Sequence, residues 1–360
     1  MDKIKKSLSE LKMPLIAIAF AFIFGSLLIL ATGKSPIEAY SALFRGAFGS
    51  PAAISQTLNK ATPLIFTGLS VSIAYQCKSL NIGGEGQLVF GAFGASLVGV
   101  TLKGLPMLVH LPLAILAGFI FGGLWAVIPG ILKIKKDVNT VISTIMMNYV
   151  AFSVVSFLIN TYFKADKSDF VAMNWVEATA RIPFIQTGGL RICISIVFAI
   201  IAAIILKILL QKTVLGYEIK AVGGNQNASN SNGISSKKNI LISLIISGGL
   251  AGLAGAMDVL GNSGKLYDGY NPGYGFDGIP IALLAKGNPI GVILTALLFS
   301  VLRTGAVTMQ TSVGVSRTIV DAMQGVIILF IAAEYIFTIY KKAKLNRIKV
   351  NEEKKLEGAQ

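Results

Sequence analysis

Charged residues are scarce in this sequence. Asp, Glu, Lys and Arg make up 14% of the 360 residues, whereas 54% are apolar, and the mean hydropathy is +0.71. A soluble domain of this size needs more charge to cover its surface. Water is therefore excluded as the main solvent of the chain. A lipid bilayer takes about 20 apolar residues per spanning helix, which leaves room for roughly ten spans.

Reactive side chains are equally sparse. The two cysteines, Cys77 and Cys193, fit neither a disulfide framework nor a metal cluster, and His110 is the only histidine. No Cys/His pair, no Ser/His pair beyond that lone histidine and no metal-ligand spacing is present. We therefore expect no catalytic residues, no metal and no cofactor.

A phosphate-binding loop is also missing. Its pattern, G-x-x-x-x-G-K-[ST], is approached only at Gly33-Lys34-Ser35, where Leu28 stands in the place of the first glycine. Any ATP that drives this protein is therefore expected to be hydrolysed by a partner.

Long apolar runs are what the sequence does contain. Ten of them predict an all-α fold, a polytopic transmembrane helical bundle with about ten spans. The runs at 62–77 and 276–285 are too short to cross a bilayer as straight helices, so we expect broken or half helices there, where protein or a water-filled cavity surrounds the irregular backbone. The ten runs are 14–32, 62–77, 81–102, 107–132, 140–163, 190–210, 240–260, 276–285, 289–308 and 319–340.

The distribution of Lys and Arg predicts the orientation. With both termini in the cytoplasm and ten spans, the cytoplasmic side collects 21 of the 32 basic residues and the outer side collects 11, Arg303 among them. This bias agrees with the excess of positive charge found in cytoplasmic loops. We therefore expect the connection 211–239 and the tail 341–360 to be cytoplasmic, with residues 1–360 forming a single transmembrane domain.

Glycines within the runs predict close helix packing. Gly118 and Gly122 form a small-xxx-small pair, as do Gly248 and Gly252. Such pairs let helix backbones approach each other in lipid.

Two polar, glycine-rich clusters interrupt the apolar pattern. Residues 81–87 read Asn-Ile-Gly-Gly-Glu-Gly-Gln, and residues 274–278 read Tyr-Gly-Phe-Asp-Gly. Each precedes a glycine-studded apolar run, and the two occupy similar places in the two halves of the chain. Matched interruptions of this kind indicate an inverted internal repeat with a pathway between its halves. The first cluster either lines a substrate pathway or holds a broken helix in place, and the sequence leaves both roles open.

Five segments resemble a known family. Residues 81–87, 141–148, 216–223, 247–260 and 273–283 resemble the nucleoside-type permeases of bacterial ABC importers, which are related to branched-chain amino acid and ribose permeases. The Gly-Gly-Glu-Gly-Gln and Gly-Tyr-Gly-Phe-Asp-Gly-Ile stretches are the specific part of this match. The resemblance implies a permease subunit in the bacterial inner membrane with four further expectations. These are a cytoplasmic ATPase, a second related permease, a lipid-anchored binding protein on the outer side, and a coupling helix for the ATPase within 216–233.

The resemblance, together with the clusters, yields candidate site residues. A nucleoside path needs aromatic faces and polar hydrogen-bonding groups, although phenylalanines on spans also commonly meet lipid or core. The substrate-pathway candidates are Asn81, Glu85, Gln87, Phe90, Phe93, Phe276 and Asp277. The ATPase-coupling candidates are Gly216, Glu218, Asn225, Asn227 and Gly233. Small polar residues at 227–232 replace the Glu-Ala-Ala-like stretch of the family, and Asn and Ser favour helix less.

Other functions remain open at this point. One alternative within the same class is the import of a pentose or a branched-chain amino acid instead of a nucleoside. A second reading is a carrier or channel that works alone and is coupled to an ion. A third is a membrane scaffold without transport, whose function is expected to be unaffected by mutation of Glu85 and Asp277.

Overall fold

The structure is a computed structural model that describes residues 2–166, 170–330 and residue 333, with side chains from residue 16 onward. The predicted tail at 341–360 and most of the last predicted run beyond residue 330 lie outside the described residues.

Helices dominate the described chain, and a short β-hairpin lies between the helices Thr140–Leu158 and Ser195–Lys212. The hairpin pairs β1, Phe184–Thr187, with β2, Leu190–Cys193, in antiparallel fashion. The helices that end at Leu158 and Met257 each continue into a π-helical turn, Ile159–Phe163 and Asp258–Ser263. The helices are α1 Asp2–Ala31, α2 Pro36–Phe48, α3 Pro51–Gln76, α4 Gly84–Thr101, α5 Met107–Lys136, α6 Thr140–Leu158, α7 Ser195–Lys212, α8 Val214–Gly224, α9 Gln226–Ser231, α10 Ser236–Met257, α11 Tyr274–Leu284, α12 Pro289–Val313 and α13 Thr318–Phe330.

The all-α polytopic fold class is confirmed, but the count of ten spans is not. Among the described residues, five helices are long and apolar enough to cross a membrane, or six if the bent pair at 16–48 counts as one span. The five are Met107–Lys136, Thr140–Phe163, Ser195–Lys212, Ser236–Ser263 and Pro289–Val313. Within the described residues each predicted run nevertheless falls mainly on a helix, although residues 190–193 form β2. An apolar run favours helix whether or not that helix crosses the bilayer alone.

The prediction of half helices is right at one place and wrong at the other. α11 has 11 residues, about 16 Å of helix, which is half of a bilayer core. α3 instead has 26 unbroken residues, about 39 Å. The prediction failed there because α3 begins eleven residues before the apolar run, at Pro51, with the Ser50 hydroxyl accepting a hydrogen bond from the Ala53 N–H as its cap.

The chain divides into two compact units, residues 1–40 with 309–360, and residues 41–308. In the first unit the Tyr40 hydroxyl donates to the Phe22 carbonyl over 2.6 Å. The second unit contains every candidate site residue. The prediction of one transmembrane domain over 1–360 stays a prediction.

Glycines build the centre of the second unit, where α4, α5 and α10 cross. A side chain at Gly91 would collide with the backbone of Gly252, and one at Gly122 would collide with the Gly248 carbonyl. The predicted small-xxx-small pairs of α5 and α10 therefore face each other. This approach explains why α10 is the most buried of the five apolar helices.

Two neighbouring glycines of α5 test this packing. We expect Gly122→Ala to lower the stability of the purified subunit by about 1–3 kcal/mol, because the new methyl group enters a filled backbone contact. Gly123→Ala is the matched control, since its Cβ would lie 3.3 Å from the Ile245 carbonyl and needs only a small shift. Thermal unfolding in detergent measures both. Equal unfolding temperatures for the two variants would contradict this account.

Candidate functional site

The two glycine-rich clusters, far apart in the sequence, meet in the structure. α4 begins at Gly84 and α11 begins at Tyr274, and the backbones of the two helix starts touch. A side chain at Gly275 would collide with the backbone of Glu85, and a Cβ at Gly84 would lie 3.5 Å from the Gly275 carbonyl oxygen. Glycine is required at this junction because any side chain at 275 would separate the helices.

The Glu85 carboxylate joins the two helix starts. Its Oε1 accepts a hydrogen bond from the Gly273 N–H over 2.6 Å, and its Oε2 accepts one from the Gly275 N–H over 2.5 Å. The first N–H groups of a helix have no partner within that helix, and a negative charge is favourable at this end. Glu85 is fully buried. It therefore caps α11 from the neighbouring helix and fixes where α11 begins.

Arg303 of α12 holds the same helix start from the other side and was missed by the sequence analysis. Its guanidinium donates to the Asp277 carboxylate and to the Pro272 carbonyl, and it lies over the Tyr274 ring at 4.6 Å from the centroid. The signal that would have revealed it is a cation inside the apolar run 289–308. Ionisable groups at membrane depth are costly and usually mark a pathway, whereas the topology count placed Arg303 on the outer side.

The ion pair is only partly covered. The side chains of Arg303 and Asp277 are 30% and 20% exposed, and the neighbouring Phe276 is 43% exposed. Of the seven substrate-pathway candidates, Phe276 is exposed, Phe90 and Asp277 are half-buried, and the other four are buried.

Asn81 and Gln87 are buried and bonded to each other. The Asn81 Nδ2 donates to the Gln87 Oε1 over 2.7 Å, and the Gln87 Nε2 donates back to the Asn81 Oδ1 over 3.2 Å. The Asn81 Nδ2 also donates to the Ser247 Oγ of α10 over 2.8 Å. These amides fix the loop before α4, because each uses its polar atoms within the protein.

Asn148 of α6 secures the same loop. Its Oδ1 accepts from the Gly86 N–H over 2.8 Å, and its Nδ2 donates to the Ile82 carbonyl over 3.1 Å. The start of α4 is therefore held by two amide networks in addition to the Glu85 contact.

Phe90 and Phe93 lie in an aromatic cluster between helices. Phe90 stacks on Trp125 with ring centroids 4.2 Å apart, and Phe93 meets Phe163 edge-on at 5.7 Å. Phe121 contacts both. Such pairs stabilise helix packing, and their assignment to the substrate pathway stays a prediction.

The predicted coupling segment forms two short helices, α8 and α9. Asn225 ends α8 and begins α9, where its Oδ1 accepts from the N–H groups of Asn227 and Ala228 at 3.0 and 3.1 Å. This capping allows a helix in spite of the weak helix formers at 227–232. Gly233 follows with φ +79°, a left-handed conformation that favours glycine and ends the turn.

Contacts to the bundle hold α8 in place. A side chain at Gly216 would collide with the Leu209 carbonyl of α7, and the Glu218 carboxylate accepts from the Asn239 Nδ2 of α10 over 3.0 Å. The two short helices border an open cleft of about 560 Å³, on whose rim Val214 and Tyr217 are 74% and 65% exposed.

Comparison with known proteins agrees with this architecture. The family model for the permease component of branched-chain amino acid transport systems matches residues 53–332. A guanosine ABC transporter permease of Bacillus subtilis is 41% identical over 92% of this chain and 95% of its own length. A nucleoside ABC transporter permease of Lactococcus lactis is 36% identical over 96% of both chains, and a glucose permease of Haloferax volcanii is 31% identical over 91% and 88%. No solved structure gives a significant match.

The fold and the matched residues define a permease, a membrane-embedded component of a transport system. The chain belongs to the family of branched-chain amino acid transport system permease components. It is a multi-pass membrane protein and a transporter component, and no enzyme family is indicated for it.

Proposed function

We propose that this chain is the membrane-spanning subunit of an ATP-driven importer that carries nucleosides across the bacterial inner membrane. The observation that carries the proposal is the 41% identity to a guanosine permease over nearly the full length of both chains. The relative named as a nucleoside permease at 36% supports the same solute class, and the glucose permease lies further away at 31%.

The solute path runs along the face where α11 meets α12. Phe276, Asp277 and Arg303 are partly exposed there, and they lie within the apolar runs 276–285 and 289–308, which we expect to be at membrane depth. Charged groups at that depth face a pathway or another protein chain and avoid lipid. A nucleoside is neutral, with a flat base and a polar sugar, so an exposed aromatic ring beside a carboxylate and a guanidinium suits its recognition.

The buried residues of the first cluster position this face. The side chains of Asn81, Glu85 and Gln87 each make hydrogen bonds within the protein, which favours the second of the two roles left open by the sequence, that of holding an interrupted helix. Glu85 acts on the path through α11, whose start it caps.

Energy enters from partners on the cytoplasmic side. The cleft between α8 and α9 receives an ATPase subunit, whose closure on ATP moves α8 and opens the path on the other side of the membrane. A second related permease supplies the other half of the path, and a lipid-anchored binding protein delivers the solute from outside. This arrangement places both termini in the cytoplasm, in agreement with the Lys and Arg bias.

Uptake by a deletion strain tests the solute class. We expect loss of labelled guanosine and adenosine uptake, restored by the wild-type gene, with unchanged uptake of ribose, glucose and leucine. Unchanged nucleoside uptake together with lost sugar uptake would show that the transported solute is a sugar and not a nucleoside.

Reconstitution tests the energy source. The purified chain alone in liposomes is expected to transport nothing, and addition of its ATPase and second permease is expected to give ATP-dependent uptake. Transport by the chain alone would favour an ion-coupled carrier or channel.

A further inference from the structure

The last turn of α3 contacts two elements that the proposed mechanism requires to move together. On one side lies α8, where a side chain at Gly223 would collide with the Gln76 carbonyl oxygen. The Lys78 Nζ, just beyond the helix, reaches the Gly224 carbonyl over 3.5 Å. α8 therefore rests with its backbone directly on the end of α3.

On its other side the same turn holds the connection between α11 and α12. The carbonyl of Gly287 accepts one hydrogen bond from the Ser72 Oγ over 2.7 Å and another from the Gln76 Nε2 over 3.1 Å. Gly287 has φ +70° and is buried, so the connection adopts one defined shape against α3. Gln76 thus meets α8 with its backbone and the α11–α12 connection with its side chain.

Close packing makes α3 and α11 one block. A Cβ at Gly278 of α11 would lie 2.8 Å from the Thr67 carbonyl oxygen of α3, and a Cβ at Gly68 of α3 would lie 2.6 Å from the Ile281 side chain. Closely packed interiors transmit displacement instead of absorbing it. A push of α8 on the end of α3 is therefore passed to α11, whose start bears Asp277.

We propose that the α3 end, Ser72 to Lys78 with Gln76 at its centre, is the element that couples α8 to the half helix α11 and so to the solute path. Gln76 is a positioning residue, because it acts through Gly223 and Gly287. The proposal rests on the function proposed above. It adds the route by which a movement of the ATPase is transmitted to the Glu85 and Arg303 contacts at the start of α11.

Two adjacent glycines provide the test. In Gly223→Ala the new methyl group separates α8 from α3, whereas Gly224→Ala has nothing within 4 Å of its Cβ and serves as the matched control. Each variant is combined with Phe276→Cys, which places a thiol on the exposed face of α11. The native Cys77 and Cys193 are both buried, but Cys77 lies within the α3 end itself. Both are therefore replaced by alanine, so that maleimide labelling reports on position 276.

In membranes containing the whole transporter, we expect ATP to change the labelling rate of Phe276→Cys. Gly223→Ala is expected to reduce this change by about tenfold while ATP hydrolysis continues, a loss typical of coupling between sites. Gly224→Ala is expected to keep the change.

A second variant leaves the α8 contact intact. Gln76→Leu removes the side-chain hydrogen bond to Gly287, and we expect it to reduce the ATP-dependent labelling change by about threefold. Gln56→Leu, an exposed position near the other end of α3, is its control.

The outcomes separate the two proposals. Wild-type labelling changes in both Gly223→Ala and Gln76→Leu would overturn the coupling route. So would loss of ATPase association in Gly223→Ala together with an unaffected Gln76→Leu, because α8 would then be only a docking element. Labelling does not depend on the identity of the solute, so failure of nucleoside uptake in the wild type would refute the solute class alone.

Discussion

Replacement of Glu85 by alanine is expected to abolish solute uptake. The substitution removes both acceptors of the Gly273 and Gly275 N–H groups and leaves these donors unsatisfied at the buried start of α11. The lost charge-assisted hydrogen bonds cost about 3 kcal/mol, which corresponds to roughly a hundredfold in an equilibrium. Uptake by the reconstituted transporter and thermal unfolding of the purified subunit measure the effect.

Two further variants sharpen this prediction. Glu85→Gln keeps one acceptor oxygen but presents an amide N–H₂ to the second backbone donor, so we expect a loss of uptake nearly as large, with less change in stability. Glu38→Ala removes an exposed carboxylate near the start of α2 and is expected to have little effect. Normal uptake by both Glu85 variants would contradict this prediction and remove Glu85 from the site.

Breaking the Asp277–Arg303 pair is the second change for which we expect a large effect. Arg303→Ala removes the guanidinium that pairs with the Asp277 carboxylate and that bonds to the Pro272 carbonyl. We expect a loss of stability of about 3 kcal/mol, the low end for breaking a buried ion pair because both side chains are partly exposed. Uptake is expected to fall below detection.

A double variant separates stability from transport. Asp277→Leu with Arg303→Met replaces both charges with apolar groups, so we expect most of the stability to return without uptake. Recovery of uptake in the double variant would show that the pair serves packing alone.

The surface ion pair Lys133–Asp137 is the matched control. The Lys133 Nζ and the Asp137 Oδ1 lie 2.5 Å apart, but Asp137 is exposed at the C-terminal end of α5. Hydrogen bonding and the charge of Lys133 lower the pKa of Asp137. Asp137→Asn is expected to change neither uptake nor stability measurably, because exposed pairs contribute little and asparagine tolerates the left-handed backbone at this position.

The coupling segment shows which features of a helix can be predicted from the sequence. The family resemblance implied a helix within 216–233, and the structure contains two, α8 from Val214 to Gly224 and α9 from Gln226 to Ser231. The weak helix formers at 227–232 argued against a stable helix, but the side chain of Asn225 caps α9 and offsets them. A helix-propensity scale sums the contributions of single residues and does not include the hydrogen bonds of such a cap.

Helix length was predicted less well than helix position. The apolar run at 62–77 matched the continuously buried part of α3 and missed its more polar first half. That first half contacts the β-hairpin. There the Ser55 Oγ accepts from the Arg191 N–H over 2.8 Å. Polar residues extend a helix when tertiary contacts satisfy them, and hydropathy alone does not register those contacts.

The sequence by itself determined that this protein is a helical membrane protein, that it resembles importer permeases, and that the helix at 276–285 is short. The first property follows from composition, and the other two follow from patterns a few residues long. Only the tertiary structure decided that Glu85 caps a helix 188 residues away and that Arg303 pairs with Asp277. The physical reason is that a buried charge is stabilised by whichever donors the fold brings to it, and those donors are backbone groups and side chains of other helices that no local pattern identifies.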